Sequence, residues 1–194
     1  MEPDLVTIVL AVFTGLGLAA ACGLRVFLPL LVLGLAARSE AVQLVDSFAW
    51  VSSTPALIAF GVASVLEVLA FYVPWLDNLL DAIALPAASI AGAVATTSVL
   101  IGMEPLWTWS LGVVAGGGVA ALVHVPVAAA RAGSTVTTGG AGNATVATGE
   151  VVGSGLVSSM AVFAPITAPM VTIALVVGSV ALLRRRRRQA REAT

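Results

Sequence analysis

From Leu5 to Ala37 the chain runs thirty-three residues with a single charge, Arg25. A hydrocarbon core about 30 Å thick needs roughly 20 apolar residues as helix, so this stretch alone argues for a bilayer. Four more follow. Thr54 to Leu76 is interrupted only by Glu67, while Ala82 to Met103, Pro105 to Ala130 and Val151 to Leu183 carry no formal charge, with His124 in the fourth. A closed β-barrel needs short alternating segments, whereas these are continuous runs rich in Leu, Ala and Val. At 59% apolar and 10% charged, the composition excludes a water-soluble globule, whose charged share runs near a quarter. The reading is an all-α polytopic membrane protein, one transmembrane domain over 1–183 followed by a basic tail over 184–194.

The first and last stretches are too long for one crossing, at about 50 Å each as straight helix. Gly23, Arg25 and Pro29 interrupt the first, Pro165 and Pro169 the last. Proline removes a backbone donor and clashes with the preceding turn, so both stretches are expected to break. Five to seven hydrophobic segments follow. The N-terminus, Met1-Glu2-Pro3-Asp4, is acidic where a signal peptide is basic, so the first segment is expected to be retained. Arg184, Arg185, Arg186, Arg187, Arg188 and Arg191 follow the last span at once, which the positive-inside rule places in the cytoplasm. The same arginines suit anionic lipid headgroups.

Residues 132–149 are nearly all Gly, Thr, Ala and Ser or Val, and read as a flexible loop. Within them, Asn143-Ala144-Thr145 reads as an accidental glycosylation sequon. Small residues at helix-packing spacing, Gly112-x-x-x-Gly116 and Gly149-x-x-x-Gly153, read as close helix contacts inside a bundle or across a homo-oligomer. A loose echo between 21–38 and 120–131 suggests a weak inverted repeat, the plan of many small transporters.

Charges at membrane depth cost about 2.5–3.5 kcal/mol each on insertion scales, so they are functional candidates or deliberate staples. Glu67 lies more than three turns into its span, and Arg25 is the arginine at comparable depth. An Arg25–Glu67 pair is the economical reading, either as a structural staple or as part of a transport site. Asp77, Asn78 and Asp81 follow Pro74-Trp75, with Asp77 a candidate N-cap and Asp81 one turn on. They either hold a hard cation or cap a turn. His124 is a candidate proton relay, or a hydrogen-bonded packing residue beside Pro126. Residues 1–183 hold nine acids and three arginines, a balance of −6 that favours proton or cation chemistry over anion binding.

Other chemistry is excluded more firmly. There is no lysine, and two thirds of the arginines sit in the tail, so nucleic acid is not a partner. One cysteine rules out an internal disulfide and a Cys-based metal cluster. No Walker loop, His-Glu-x-x-His or Gly-x-Ser-x-Gly is present, no cofactor is implied, and the metal question rests on the two aspartates.

The combination Gly23-Leu24-Arg25-Val26-Phe27-Leu28-Pro29, then Glu67, then Pro74-Trp75-x-Asp77-Asn78-x-x-Asp81 resembles the bacterial membrane family catalogued as domain of unknown function 4126. The resemblance runs from about Leu16 to the last span. His124, Arg131 and Glu150 fall at positions where that family carries His, Arg and an acid. Departures are Phe71-Tyr72 for an Asp-Lys pair, Val127 for Lys and Val151 for Asp, which leave the net charge unchanged. The resemblance implies a membrane protein of the bacterial inner membrane and supplies no activity. The leading functional expectation is a small transporter or channel-like protein. In it Glu67, Asp77, Asn78 and Asp81 bind a proton or cation, and Arg25 is counter-ion or gate. The alternative is a scaffold stapled by the same charges. A lipid-modifying enzyme using the two aspartates on a divalent metal comes third.

Overall fold

A computed structural model describes residues 4–70 and 74–192, with side chains for 4–70, 83–178 and 180–181. Helix α1 (Leu5–Leu24) begins where the Asp4 carboxylate accepts the Thr7 N–H at 2.9 Å. The chain is extended at Arg25 (φ −146°, ψ 136°) and resumes as α2 (Phe27–Arg38). A 3-10 turn of helix (Asp46–Ser52) leads to α3 (Thr54–Leu69), which Ser53 caps and Pro55 starts. Helix α4 (Pro74–Val99) again opens on proline. Then α5 (Pro105–Ser110), a π-helical segment (Leu111–Gly117) and α6 (Gly118–Thr138) form one continuous run. Helices α7 (Asn143–Phe163) and α8 (Ala168–Glu192) complete the chain.

The protein is thus all-helical and built for a membrane. Among the described residues, three helical runs are long and apolar enough to cross one, Leu5–Leu24, Pro105–Thr138 and Asn143–Phe163. A fourth counts if the 3-10 segment and α3, bent by 58°, are taken together. Both long stretches break as expected, at Arg25–Val26 and at Ala164–Thr167. The shorter apolar helices Phe27–Arg38, Ile83–Val99 and Ala168–Gly178 account for the higher number of segments read from the sequence.

Large apolar side chains face outward, including Ile58, Val62, Leu66, Ile90, Val114, Phe163 and Ile173. The interior mixes a few large apolar side chains, such as Leu18 and Leu33, with many small residues and hydroxyls: Ala19, Ala20, Ala91, Ala95, Thr96, Ser154 and Ser158 are buried. Lipid is as apolar as leucine, so helices associate by close approach of small residues. Helix α1 is the hub, packed on α4, α6, α7 and α8. A Cβ on Gly23 would fall 2.5 Å from the Ala120 carbonyl, and one on Gly112 or Gly116 would strike Thr97 or Thr96. Of the two small-residue motifs only the first is a tight contact. Gly149 faces open space, and Gly153 meets just the Leu24 side chain.

Direction follows from these contacts. Thr96 touches both Gly15 and Gly116, while Gly23 sits on Ala120 and Val123, so α1 and α6 run the same way. Of the first echoing stretch, residues 21–24 lie on α1 and share this direction, while 27–38 lie on α2. Helix α2 turns back beside α1. The Val45 N–H, just after it, donates to the Ser98 carbonyl at 2.8 Å, level with the Thr96 hydroxyl on the Gly15 carbonyl.

Residues 132–149 do not form a loop. They are helical over 132–138 and 143–149, and only the turn 139–142 is irregular. Gly139 and Gly140 take φ of 63° and 91° there, the left-handed values that end a helix. Thr135, Thr137 and Thr138 hydroxyls donate to carbonyls three or four residues back, so this weakly apolar sequence satisfies its polar groups within the helix. Asn143 is buried and donates to Thr135, which suits the accidental reading of the sequon. The basic residues at the far end continue a helix as well: Arg184, Arg185, Arg186, Arg187, Arg188 and Arg191 lie on α8, whose backbone runs unbroken from the last apolar segment to Glu192.

Candidate functional site: a buried charge cluster at the break of the first hairpin

The extended Arg25 ends α1 and turns its side chain inward, where it is 1% exposed. One terminal nitrogen lies 3.2 Å from the Glu150 carboxylate and 3.1 Å from the Ala147 carbonyl; the other donates to the Glu67 carbonyl at 3.4 Å. Glu150 projects from the second turn of α7 and also takes a forked pair of bonds from Arg131 on α6, with Nε at 2.9 Å. Two guanidinium groups therefore share one carboxylate. A planar fork matched to a carboxylate is the geometry that makes such a buried pair tolerable.

Glu67 acts on the backbone. Its two oxygens accept the N–H groups of Val26, at 3.0 Å, and Phe27, at 3.4 Å. These are the first donors of α2, which have no intrahelical partner. With no water in a bilayer core, something in the protein must accept them, and a carboxylate also suits the positive end of a helix. Pro29 removes one further donor at the start of the same helix.

The expected Arg25–Glu67 association is part of a wider cluster. The guanidinium meets the Glu67 backbone carbonyl and the Glu150 carboxylate, and its charge also bears on the Glu67 carboxylate. That carboxylate is shared with the two N–H groups that the break exposes. His124 lies at the same level, its Nδ1 3.2 Å from the Gly23 carbonyl, and is 5% exposed. That contact fits a packing residue holding α6 to the end of α1. Asp77 is the fourth residue of α4, inside the helix and not at its N-cap. Where the side chains of Asp77, Asn78 and Asp81 go lies outside the described residues. The same holds for the side chains of Arg184, Arg185, Arg186, Arg187, Arg188 and Arg191, so their expected contact with lipid headgroups does too. Among the described residues no group of three His, Cys, Asp or Glu could hold a metal.

Depth along the sequence does not single out Arg131 and Glu150 as site residues. Arg131 reads as the end of a span, and Glu150 as the edge of a loop. Once 132–149 is helical, both move inside the bundle.

Arg25 and Glu67 also border a cleft of about 560 Å³ between α2 and α3, reaching Val151 of α7. Its other walls are apolar, Leu28, Leu31, Val65 and Val68 among them. A family model described as a domain of unknown function (DUF4126) matches residues 12–185. The chain belongs to this family. The match takes in every member of the cluster and both helix breaks. No curated protein and no solved structure matches the chain.

Proposed function

We propose that this is a small transporter or channel-like protein of the bacterial inner membrane, C-terminus in the cytoplasm, with Glu67 as its proton- or cation-binding carboxylate. The observation that carries the reading is the cleft. Glu67, the one acid of the cluster that is half-buried, lies in its wall beside a broken helix. Arg25 lines the same cleft and holds the ends of three segments, α1, α3 and α7, through Glu150, Ala147 and Glu67. A charge placed so can act as a gate: any change at Glu67 is felt by the backbone of α2 and by Arg25 together. Asp77, Asn78 and Asp81 are proposed to extend the site from α4. The arginines from Arg184 to Arg191 are proposed to fix orientation on anionic lipids, and the small-residue faces to serve a homo-oligomer.

The test is flux in proteoliposomes. A proton or monovalent-cation flux that Glu67→Gln abolishes, with thermal stability within a few degrees of the parent, supports transport. A structural reading has its own support, because both Glu67 oxygens and both Glu150 oxygens are engaged. It expects no flux from either protein and a lower melting temperature for Glu67→Gln.

A further inference from the structure

We infer that a second cavity, at the C-terminal end of α4, binds an organic ammonium group. It is remote from Glu67. Thr96, near this end of α4, donates to the Gly15 carbonyl, about 15 Å along α1 from Arg25 at 1.5 Å per residue. The inference goes beyond the transport reading and does not rest on it.

The cavity measures about 280 Å³ and lies between the 3-10 segment, the end of α4 and the start of α5. Its surroundings favour a positive charge in four ways. Asp46 lines it and is exposed, and among the described residues its carboxylate has no hydrogen bond or ion pair. The carboxylates of Asp4, Glu67 and Glu150, by contrast, are all engaged. No Lys, Arg or His is among the described residues of the lining, and Arg38, on the helix leading here, donates instead to the Thr54 hydroxyl at 3.0 Å. Helix α4 ends at the cavity with no basic residue in its last turn, so the negative end of its dipole has no cation of its own. Lastly, Phe48 and Trp109 both line the cavity, their ring centroids 5.8 Å apart and tilted by 48°. A cation within about 6 Å of such a ring is drawn to its face.

An anion is disfavoured even at the helix starts. The 3-10 segment carries Asp46 in its first turn and α5 has Glu104 at its N-cap, so each positive end already has its acid. A bare inorganic cation fits poorly too, because a hard ion takes six or more oxygens and two rings supply none. The size, a little under the usual range for drug-sized ligands, suits a headgroup and not a whole lipid. Trp50 of the 3-10 segment and Trp107 and Trp109 of α5 are each more than half exposed, the pattern of headgroup depth. There the ammonium can arrive on a zwitterionic lipid or as a free small amine.

The full chain carrying Ser47→Cys tests this by the rate of N-ethylmaleimide labelling. Ser47 lines the cavity and is exposed, while the native Cys22 is fully buried and stays silent. In maltoside micelles choline chloride should slow labelling in a saturable way, and sodium chloride at the same concentration should not. Asp46→Asn, or Trp109→Leu, which keeps an apolar wall and removes the ring, should each raise the concentration for half protection about threefold. That is the size of one exposed ion pair or cation–π contact. The two together should raise it about tenfold, and Glu40→Gln, an acid outside the lining, should leave it unchanged. In phosphatidylglycerol vesicles, protection by admixed phosphatidylcholine assigns the group to a lipid headgroup, and protection by choline alone assigns it to a free amine. Both outcomes support the site. Protection by neither, equal protection by sodium chloride, or protection that the double variant leaves unchanged overturns it.

Discussion

The molecule breaks two long apolar stretches, and it mends them in opposite ways. At Arg25–Val26 the freed N–H groups are taken by a carboxylate from another helix, forty residues on. At Ala164–Thr167 the repair is local. Thr167 donates its N–H and its hydroxyl to the Ala164 carbonyl, at 2.9 and 2.7 Å, Ala168 donates to Pro165, and Pro165 and Pro169 have no N–H to satisfy. The second break is self-sufficient. The first exists only because α3 and α7 bring acids to it. A backbone interruption that depends on distant charge is one that a change in charge can alter, which is why the candidate site is placed there and not at the prolines.

The largest expected effect comes from removing the acid shared by both arginines. Glu150→Gln leaves Arg25 and Arg131 buried without their carboxylate, a loss of about 3–5 kcal/mol for a broken buried pair. Thermal unfolding in detergent should show it, with Arg131 and Arg25 variants costing less than their sum when combined with it. Strictly additive losses would mean that the three residues are not one unit.

Next is packing at the two breaks. A methyl group added to Gly23, before the first break, would sit 2.5 Å from the Ala120 carbonyl oxygen and 2.6 Å from the Val123 Cβ. One added to Gly17 would meet the Cβ atoms of Ala161 and Ala168, beside the second break, at 2.7 and 2.9 Å. Alanine at either should cost about 1–3 kcal/mol by overpacking. Gly149→Ala, facing open space, should be neutral or slightly stabilising by helix propensity. A neutral Gly17→Ala would show that the second break is not seated on α1, and the comparison would lose one side.

The comparison itself is decided by Glu67→Ala against Thr167→Val. Glu67→Ala strands two backbone donors and should cost about 1–3 kcal/mol. Thr167→Val removes one hydroxyl bond that has a backbone bond to the same carbonyl beside it, and should cost about 1 kcal/mol or less. Equal losses in the same detergent would mean that the first break is no more dependent on remote charge than the second.

How much of this was legible in the sequence follows the same division. The bilayer, the helices and both break points are written locally, in runs of Leu, Ala and Val and in the positions of Arg25, Pro165 and Pro169. Arg25 and Glu67 are recognisable as a site because each is a lone charge in an apolar run. Their partners are not, because partner choice is tertiary: nothing near Glu67 says that two N–H groups forty residues earlier will claim it. Arg131 and Glu150 are masked by the stretch between them. Its Gly, Thr and Ser content has the composition of a loop, yet in a helix the hydroxyls bond back to the chain and small side chains allow close packing. Propensity scales from water misjudge such a segment, since in lipid an unmade backbone bond costs more than a poor helix former.

The smallest effect concerns a helix end that lies outside the bundle and so needs neither remedy. The Asp4 carboxylate is held below the ordinary aspartate range, first by its bond with the Thr7 side chain and then by the Thr7 backbone N–H. A lowered folded-state value means a contribution that is present above the unfolded value and is lost as pH falls through the folded one. Acidification should therefore fray the first turn of α1, read as faster amide exchange at Thr7 relative to the buried Ala19. Asp4→Asn should abolish the pH dependence of that ratio while keeping an acceptor for the cap. If the ratio in the parent does not change with pH, the first turn is held by its surroundings as the first break is, and the contrast between local and remote repair does not extend to the end of the chain.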